Sequence, residues 1–458
     1  MSGVGITLRK RARRGSLSTE LSAYAYAGMI SAGPLILSIT GILLIGILSL
    51  PEMAHPEQLV QFQVSATYLT ALSLIATGPF QLSFTRFISD RLYKRQFSRV
   101  LSNFNGVTLV ATVVTGLLGV VAMLTVFKDE SLMYRVLMLL GFVTLSNIWI
   151  GVTFLTSVKQ YHAVFLFFFV GYVVAVTLAI RLNGYGLEGL LAGFVIGHVI
   201  ILLALISLVN YKFRSDRYIS MDVFDRRAFY VSLALIGFLF NLGVWLDKFV
   251  FWYSATGQKV IGSLHASVIY DIPIFIAYLC IIPGMAVLFY RLETSFVGDQ
   301  RQFFDAVRFG GTLQEIRYAH DAMVRSARAA LYEVLKVQTI VVLLIFAFGG
   351  KLLGLLGISV LYLPLLHIDV IGVSLQILFL GILNIFFYID RRNSVLSLTA
   401  LFVVLNGSLT WFTLQVGPNL YGYGFAGSLL IVVLIAMYML NRSFGLLEYQ
   451  TYMLQSNS

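Results

Sequence analysis

Gly184-Tyr185-Gly186-Leu187-Glu188-Gly189-Leu190-Leu191 recurs 238 residues later as Gly422-Tyr423-Gly424-Phe425-Ala426-Gly427-Ser428-Leu429-Leu430. Both copies carry G-Y-G-x-x-G and open a long apolar run, and they lie six apolar runs apart. An even number of membrane crossings returns the chain in the same orientation. The repeat therefore predicts two halves related by a pseudo-twofold axis along the membrane normal, with a substrate path between them. Locally the motif needs no transport role, because small residues let a helix start close to its neighbour in lipid.

Outward from the repeat, twelve apolar segments are legible: 24–50, 62–88, 104–127, 132–158, 163–180 and 187–209, then 229–253, 268–290, 335–356, 370–388, 395–416 and 420–440. About 20 apolar residues cross a bilayer, and a backbone in lipid must satisfy its own hydrogen bonds. The predicted fold class is thus an all-α polytopic membrane protein of 12 transmembrane helices in two six-helix bundles flanking a central cavity. The expected parts are a basic N-terminus (1–20), a first bundle (21–210), a linker (211–228), a second bundle (229–441) with a cytoplasmic loop at 291–334, and a tail (442–458). The alternating pattern of an outer-membrane barrel is absent. The first apolar run is too long for a signal-peptide core, and no small-residue cleavage site follows it. Arg13-Arg14 therefore reads as the flank of a retained helix.

Composition agrees with this plan. The 458 residues are 59% hydrophobic and 12% charged, half the charge of a soluble domain, and mean hydropathy is +0.87. The net charge of +11 would suit nucleic acid, but the basic residues fall in short loops between apolar runs. With the N-terminus cytoplasmic, 26 of the 32 Lys and Arg residues lie inside and 5 outside, and Lys248 lies within a helix. That asymmetry sets the expected orientation, with both termini in the cytoplasm.

Catalytic signatures are missing. There is no phosphate-cradling G-x-x-x-x-G-K-[ST] loop, no H-E-x-x-H and no nucleophile elbow. The single cysteine, Cys280, removes disulfide and Cys-rich metal frameworks. No enzyme, metal or cofactor is expected.

Ionisable residues within the apolar runs usually face a cavity or a partner. Glu188, Asp247, Lys248, Asp271 and His198 are accordingly the candidate path residues. Pairing of Lys248 with Asp247 or Asp271, and a packing role for His198, are the competing readings. Gly33-Pro34, Gly78-Pro79 and Pro283-Gly284 interrupt helices one, two and eight as candidate gating kinks. Arg91, Lys94, Arg95 and Arg99, with the mixed-charge 291–334 stretch, form a candidate docking surface for partner subunits.

Several stretches are familiar as sequence: Gly3-Val4-Gly5-Ile6 with Leu8-Arg9-Lys10, Ala27-Gly28-Met29-Ile30-Ser31-Ala32-Gly33-Pro34, and Asn241-Leu242-Gly243-Val244-Trp245-Leu246-Asp247-Lys248. Tyr270-Asp271-Ile272-Pro273 through Ile282-Pro283-Gly284-Met285 to Arg291-Leu292-Glu293-Thr294 continues the match. Over essentially the whole chain the sequence resembles the PelG family of bacterial inner-membrane transporters for the Pel exopolysaccharide. That family lies within the multidrug/oligosaccharidyl-lipid/polysaccharide exporter superfamily. The resemblance implies export of a cationic, N-acetylgalactosamine-rich polymer for biofilm matrix. It also implies a cytosolic glycosyltransferase, PelF, and membrane subunits PelD and PelE as partners, with cyclic-di-GMP sensed by PelD. It carries over no residue-level transport motif.

Two other readings compete. A major-facilitator small-solute transporter also has twelve helices in two halves, but its G-x-x-x-D-R-x-G-R-R signature is poorly met. Asp90-Arg91-Leu92-Tyr93-Lys94-Arg95 has the charges, while Arg86 and Tyr93 occupy the glycine places. A scaffold that holds a polysaccharide synthase without transporting is the other.

Overall fold

The computed structural model describes residues 17–49, 51, 55–225 and 229–453. The basic residues Arg9 to Arg14, Arg226 and Arg227 lie outside the described residues. The first seven helices are α1 (Leu17–Ser49), α2 (Glu57–Tyr93), α3 (Ser98–Thr125), α4 (Leu132–Ser157), α5 (Tyr161–Arg181), α6 (Gly186–Lys212) and α7 (Val231–Trp252). A two-stranded antiparallel hairpin follows, β1 (Gln258–Ile261) and β2 (Leu264–Ala266). Then come α8 (Val268–Leu279), α9 (Ile282–Arg291), α10 (Val297–Arg308), α11 (Leu313–Leu355), α12 (Leu363–Tyr388), α13 (Arg392–Val416) and α14 (Tyr423–Met453). Among the described residues, twelve helical segments are long and apolar enough to cross a membrane, with α8 to α10 counting as one. Each coincides with one of the twelve apolar runs.

By packing, the chain divides into a unit of residues 33–268 and a unit of residues 1–32 with 269–458. This division falls one helix later than the boundary expected from the repeat, because α7 packs along α2. The reason is a close crossing of two glycines. A Cβ on Gly78 would lie 2.6 Å from the Gly237 carbonyl oxygen, and a Cβ on Gly237 would meet the Gly78 carbonyl in turn. Ser220 N–H also donates to the Ser102 carbonyl (2.9 Å), and Val223 N–H to Asn103 Oδ1 (3.0 Å). The linker before α7 is thus strapped to the start of α3. In the other unit, the beginning of α1 meets α9, with the Tyr24 and Tyr290 rings 4.6 Å apart.

The 291–334 stretch between two membrane segments is a mixed-charge helical segment, helical except at its turn. Arg291 continues through a π-helical turn (Leu292–Phe296) into α10, and after residues 309–312 α11 begins. Thr312 and Glu315 cap α11 reciprocally, satisfying backbone donors that its first turn leaves open. Gly310 takes φ +71, which glycine adopts without steric cost. Its charge does not oppose helix, since Arg, Glu and Ala are good helix formers. At 1.5 Å per residue the 43 residues of α11 run about 65 Å, against about 30 Å of hydrocarbon core. Roughly half of α11 therefore extends beyond the bilayer beside α10.

The repeated motif serves helix packing in both places. A Cβ on Gly189 would collide with the Leu182 carbonyl, and one on Gly424 with the Thr410 backbone. The positive φ falls on Gly186 (+64) in the first copy and Gly422 (+82) in the second. Matched positions thus play unequal local roles.

Candidate functional site

Asp247 and Lys248 are buried side by side on α7. Lys248 Nζ lies 3.0 Å from Asp247 Oδ2 and 3.2 Å from Oδ1, and donates to the Val244 carbonyl at 3.0 Å. Bringing one charge into an apolar interior demands a partner, and of the pairings the sequence left open this one is formed. His198 on α6 is likewise enclosed. Its Nδ1 sits 2.7 Å from the Phe194 carbonyl and its Nε2 3.1 Å from the Tyr172 hydroxyl. A carbonyl only accepts, so Nδ1 carries the proton and Nε2 accepts from Tyr172. With both ring nitrogens satisfied inside a packed cluster, His198 fits packing better than proton relay. Asp271 belongs to the other unit, half-buried in the first turn of α8.

Glu188 has a different setting. It stands in the first turn of α6 and accepts from the Ser131 hydroxyl, which caps α4 by accepting from Tyr134 N–H at 3.1 Å. Together these residues line a cavity of about 680 Å³. The hairpin forms one wall. Gly262 N–H donates to Glu130 Oε1 (2.9 Å), and the Tyr68 hydroxyl donates to the His265 carbonyl (2.9 Å). Helices α2, α3, α4 and α6, the loop after α3 and the hairpin thus converge on one polar recess. The apolar runs gave no warning of the hairpin, which is short and mixed in polarity.

The three predicted kinks are not alike. Pro34 and Pro79 lie inside the continuous helices α1 and α2, as neighbouring helices and hydroxyls in membrane proteins allow. Ser38 donates to the Pro34 carbonyl at 2.8 Å. Pro283-Gly284 marks a true interruption between α8 and α9. Gln338 of α11 reaches the carbonyl of Ile281 there at 3.4 Å and accepts from Ser374 at 3.2 Å. Tyr278 donates to Gln376 of α12 at 3.0 Å. Gln338 and Gln376 are buried and escaped a sequence reading restricted to ionisable residues. Their signal was there: two amides inside apolar runs.

The basic cluster between α2 and α3 is partly committed to its own chain. Arg91 donates to Gln96 at 2.7 Å and lies over the Phe87 ring, and Arg99 approaches Asp222 at 3.9 Å. Lys94 and Arg95 are exposed. Partial burial pushes the Asp222 carboxyl up, but hydrogen bonds from Ser220 and Asn103 and the charges of Arg99 and Arg91 outweigh it and hold the carboxyl below its ordinary value. A depressed carboxyl stabilises the folded state above its unfolded pKa, and that contribution is lost as pH falls through the folded value. Acidification should therefore weaken the hold of α3 on the linker, while the Ser220 and Val223 backbone bonds remain. The protection of amides 218–225 against exchange, relative to the unfolded chain at the same pH, is expected to fall towards acid pH in the wild type, and an Asp222→Asn variant should show no such change.

Known proteins bear on this architecture in two ways. The model of the family PelG, described as "Putative exopolysaccharide Exporter (EPS-E)", matches residues 1–452. No curated protein matches the sequence. Among solved structures, the inward-facing conformation of a multidrug resistance MATE family transporter of the MOP superfamily is similar at TM-score 0.59 and 13% identity, over 92% of this chain and 99% of that one. A MATE transporter in its straight conformation gives 0.63 and 12%, over 93% and 96%. A MOP superfamily transporter from Pyrococcus furiosus gives 0.61 and 14%, again over 93% and 96%. At such identities the likeness concerns the fold, which is MATE-like, a fold of two six-helix halves.

Proposed function

The chain belongs to the PelG family, and from that premise we propose that it exports the Pel exopolysaccharide across the bacterial inner membrane for biofilm matrix. The observation that carries this reading is the family match over residues 1–452. The proposed route is a central cavity between the two halves implied by the repeat, with both termini cytoplasmic. PelF would supply polymer from the cytosol and PelD and PelE would be membrane partners, docking at Lys94, Arg95 and the α10–α11 hairpin. Of the candidate path residues, Glu188 and Asp271 remain the ones we assign to the route. Asp247, Lys248 and His198 are better explained as internal partners. The MATE-like fold weighs against the major-facilitator alternative.

Gating is proposed for the helix interruptions, with the α8–α9 break the strongest because α-helix there gives way to a turn at residues 280–281. The test is transport in vesicles that hold polymer synthesised inside. Polymer should appear outside with the wild-type protein, and Pro34→Ala or Pro79→Ala should keep protein abundance while lowering export. Folded, partner-bound protein that never exports would favour the scaffold reading.

A further inference from the structure

The recess beside Glu188 has a chemistry of its own. Its volume, about 680 Å³, is in the range of small-molecule sites. Gln58 and Gln61 of α2 line it with amides, Asp129 and Glu188 with carboxylates, Tyr185 with an exposed ring, and Lys128 and Lys259 with ammonium groups. Gly186, at φ +64, lies so close under the Gln58 side chain that a Cβ would overlap it. Glu130 is occupied in holding Gly262 of the hairpin.

These groups exclude several ligand classes. Among the described residues no three His, Cys, Asp or Glu side chains are placed to hold a metal ion. A hydrocarbon would strand the amides and carboxylates without hydrogen-bond partners. Three carboxylates, counting Glu130, against two ammonium groups disfavour an anion. A ligand that both donates and accepts at many points, and that carries some positive charge, satisfies the lining.

We propose that this recess is a binding site for amine-bearing saccharide units, in which Gln58 and Gln61 engage hydroxyl or acetamido groups and Asp129 and Glu188 engage free amines. Ser131 holds the Glu188 carboxylate in place and leaves it capacity to accept further bonds. The proposal rests on the polysaccharide-export reading for its ligand and deepens it, giving the route residue Glu188 a saccharide-binding recess. Weak individual contacts suit such a site, since a passing polymer must leave as well as enter.

Calorimetric titration of the purified full-length protein tests it with three probes: a neutral N-acetylhexosamine oligomer, a partly deacetylated one, and a uronic acid oligomer. The partly deacetylated oligomer should bind at least tenfold tighter than the uronic one. Glu188→Gln should weaken the amine-bearing probe about tenfold, the size of one charge-assisted hydrogen bond, and leave the neutral probe unchanged. Asp129→Asn, at an exposed position, repeats the test should Glu188→Gln fail to fold. Gln61→Leu should weaken both hexosamine probes alike. Unchanged binding in these variants, or preference for the uronic oligomer, overturns the proposal. Export from vesicles by a protein that binds none of the probes overturns the site and leaves the export reading standing. Charge-dependent binding without export does the reverse.

Discussion

Lys248→Met alone should remove most of the folded protein, and adding Asp247→Asn should bring it back. The single substitution leaves the Asp247 carboxylate buried after the ammonium 3.0 Å away is gone, and breaking a buried pair on one side costs about 3–5 kcal/mol. That is a large part of the 5–15 kcal/mol by which folded proteins are usually stable. Asp247→Asn alone should also be harmful, because it strands the ammonium, although the Val244 carbonyl at 3.0 Å still accepts one of its protons. The double variant removes both charges and retains an amide in place of the carboxyl. Yield of monodisperse protein after solubilisation and its thermal midpoint are the readouts. If Asp247 lines the polymer route instead, Asp247→Asn should leave both unchanged, lower export, and gain nothing from the change at Lys248.

The same pair shows what the sequence could and could not say. Twelve runs of apolar residues and a 26-to-5 charge split are one-dimensional properties, so helix number and expected orientation were legible without coordinates. Partner choice is three-dimensional. Lys248 adjoins Asp247 in sequence, yet neighbours on a helix normally diverge by about 100°. Only bending of the Lys248 chain back towards the Val244 carbonyl brings the two groups together. Glu188 was singled out for its depth, whereas its Ser131 partner and the hairpin wall come from segments more than 50 residues away. Gln338 and Gln376 were passed over because neutral amides carry no charge signal. Conversely, α11 starts at Leu313, well before the apolar run 335–356 that marks its membrane-spanning part. Charge marks where water begins, not where a helix stops.

Gly78→Ala should unfold the protein more readily than Pro79→Ala, although proline is the more conspicuous helix breaker. Pro79 lies in a helix that already continues through it, so its replacement restores a backbone donor and, alanine being the smaller residue, adds no atoms at the crossing. Gly78 meets Gly237 backbone to backbone, and an added Cβ would stand 2.6 Å from a carbonyl oxygen, a distance no side-chain rotation can relieve. The two helices must separate. Overpacking of this kind costs about 1–3 kcal/mol, and in lipid close approach at small residues is itself a main source of helix association. Gly237→Ala should behave like Gly78→Ala, because the clash is reciprocal. Combining the two should cost less than the sum of the singles, since helices already parted for one methyl accommodate the second. Thermal midpoints of the four proteins check this ordering. A stable Gly78→Ala protein that has lost export would instead assign Gly78 to gating, with the α2–α7 crossing able to slide.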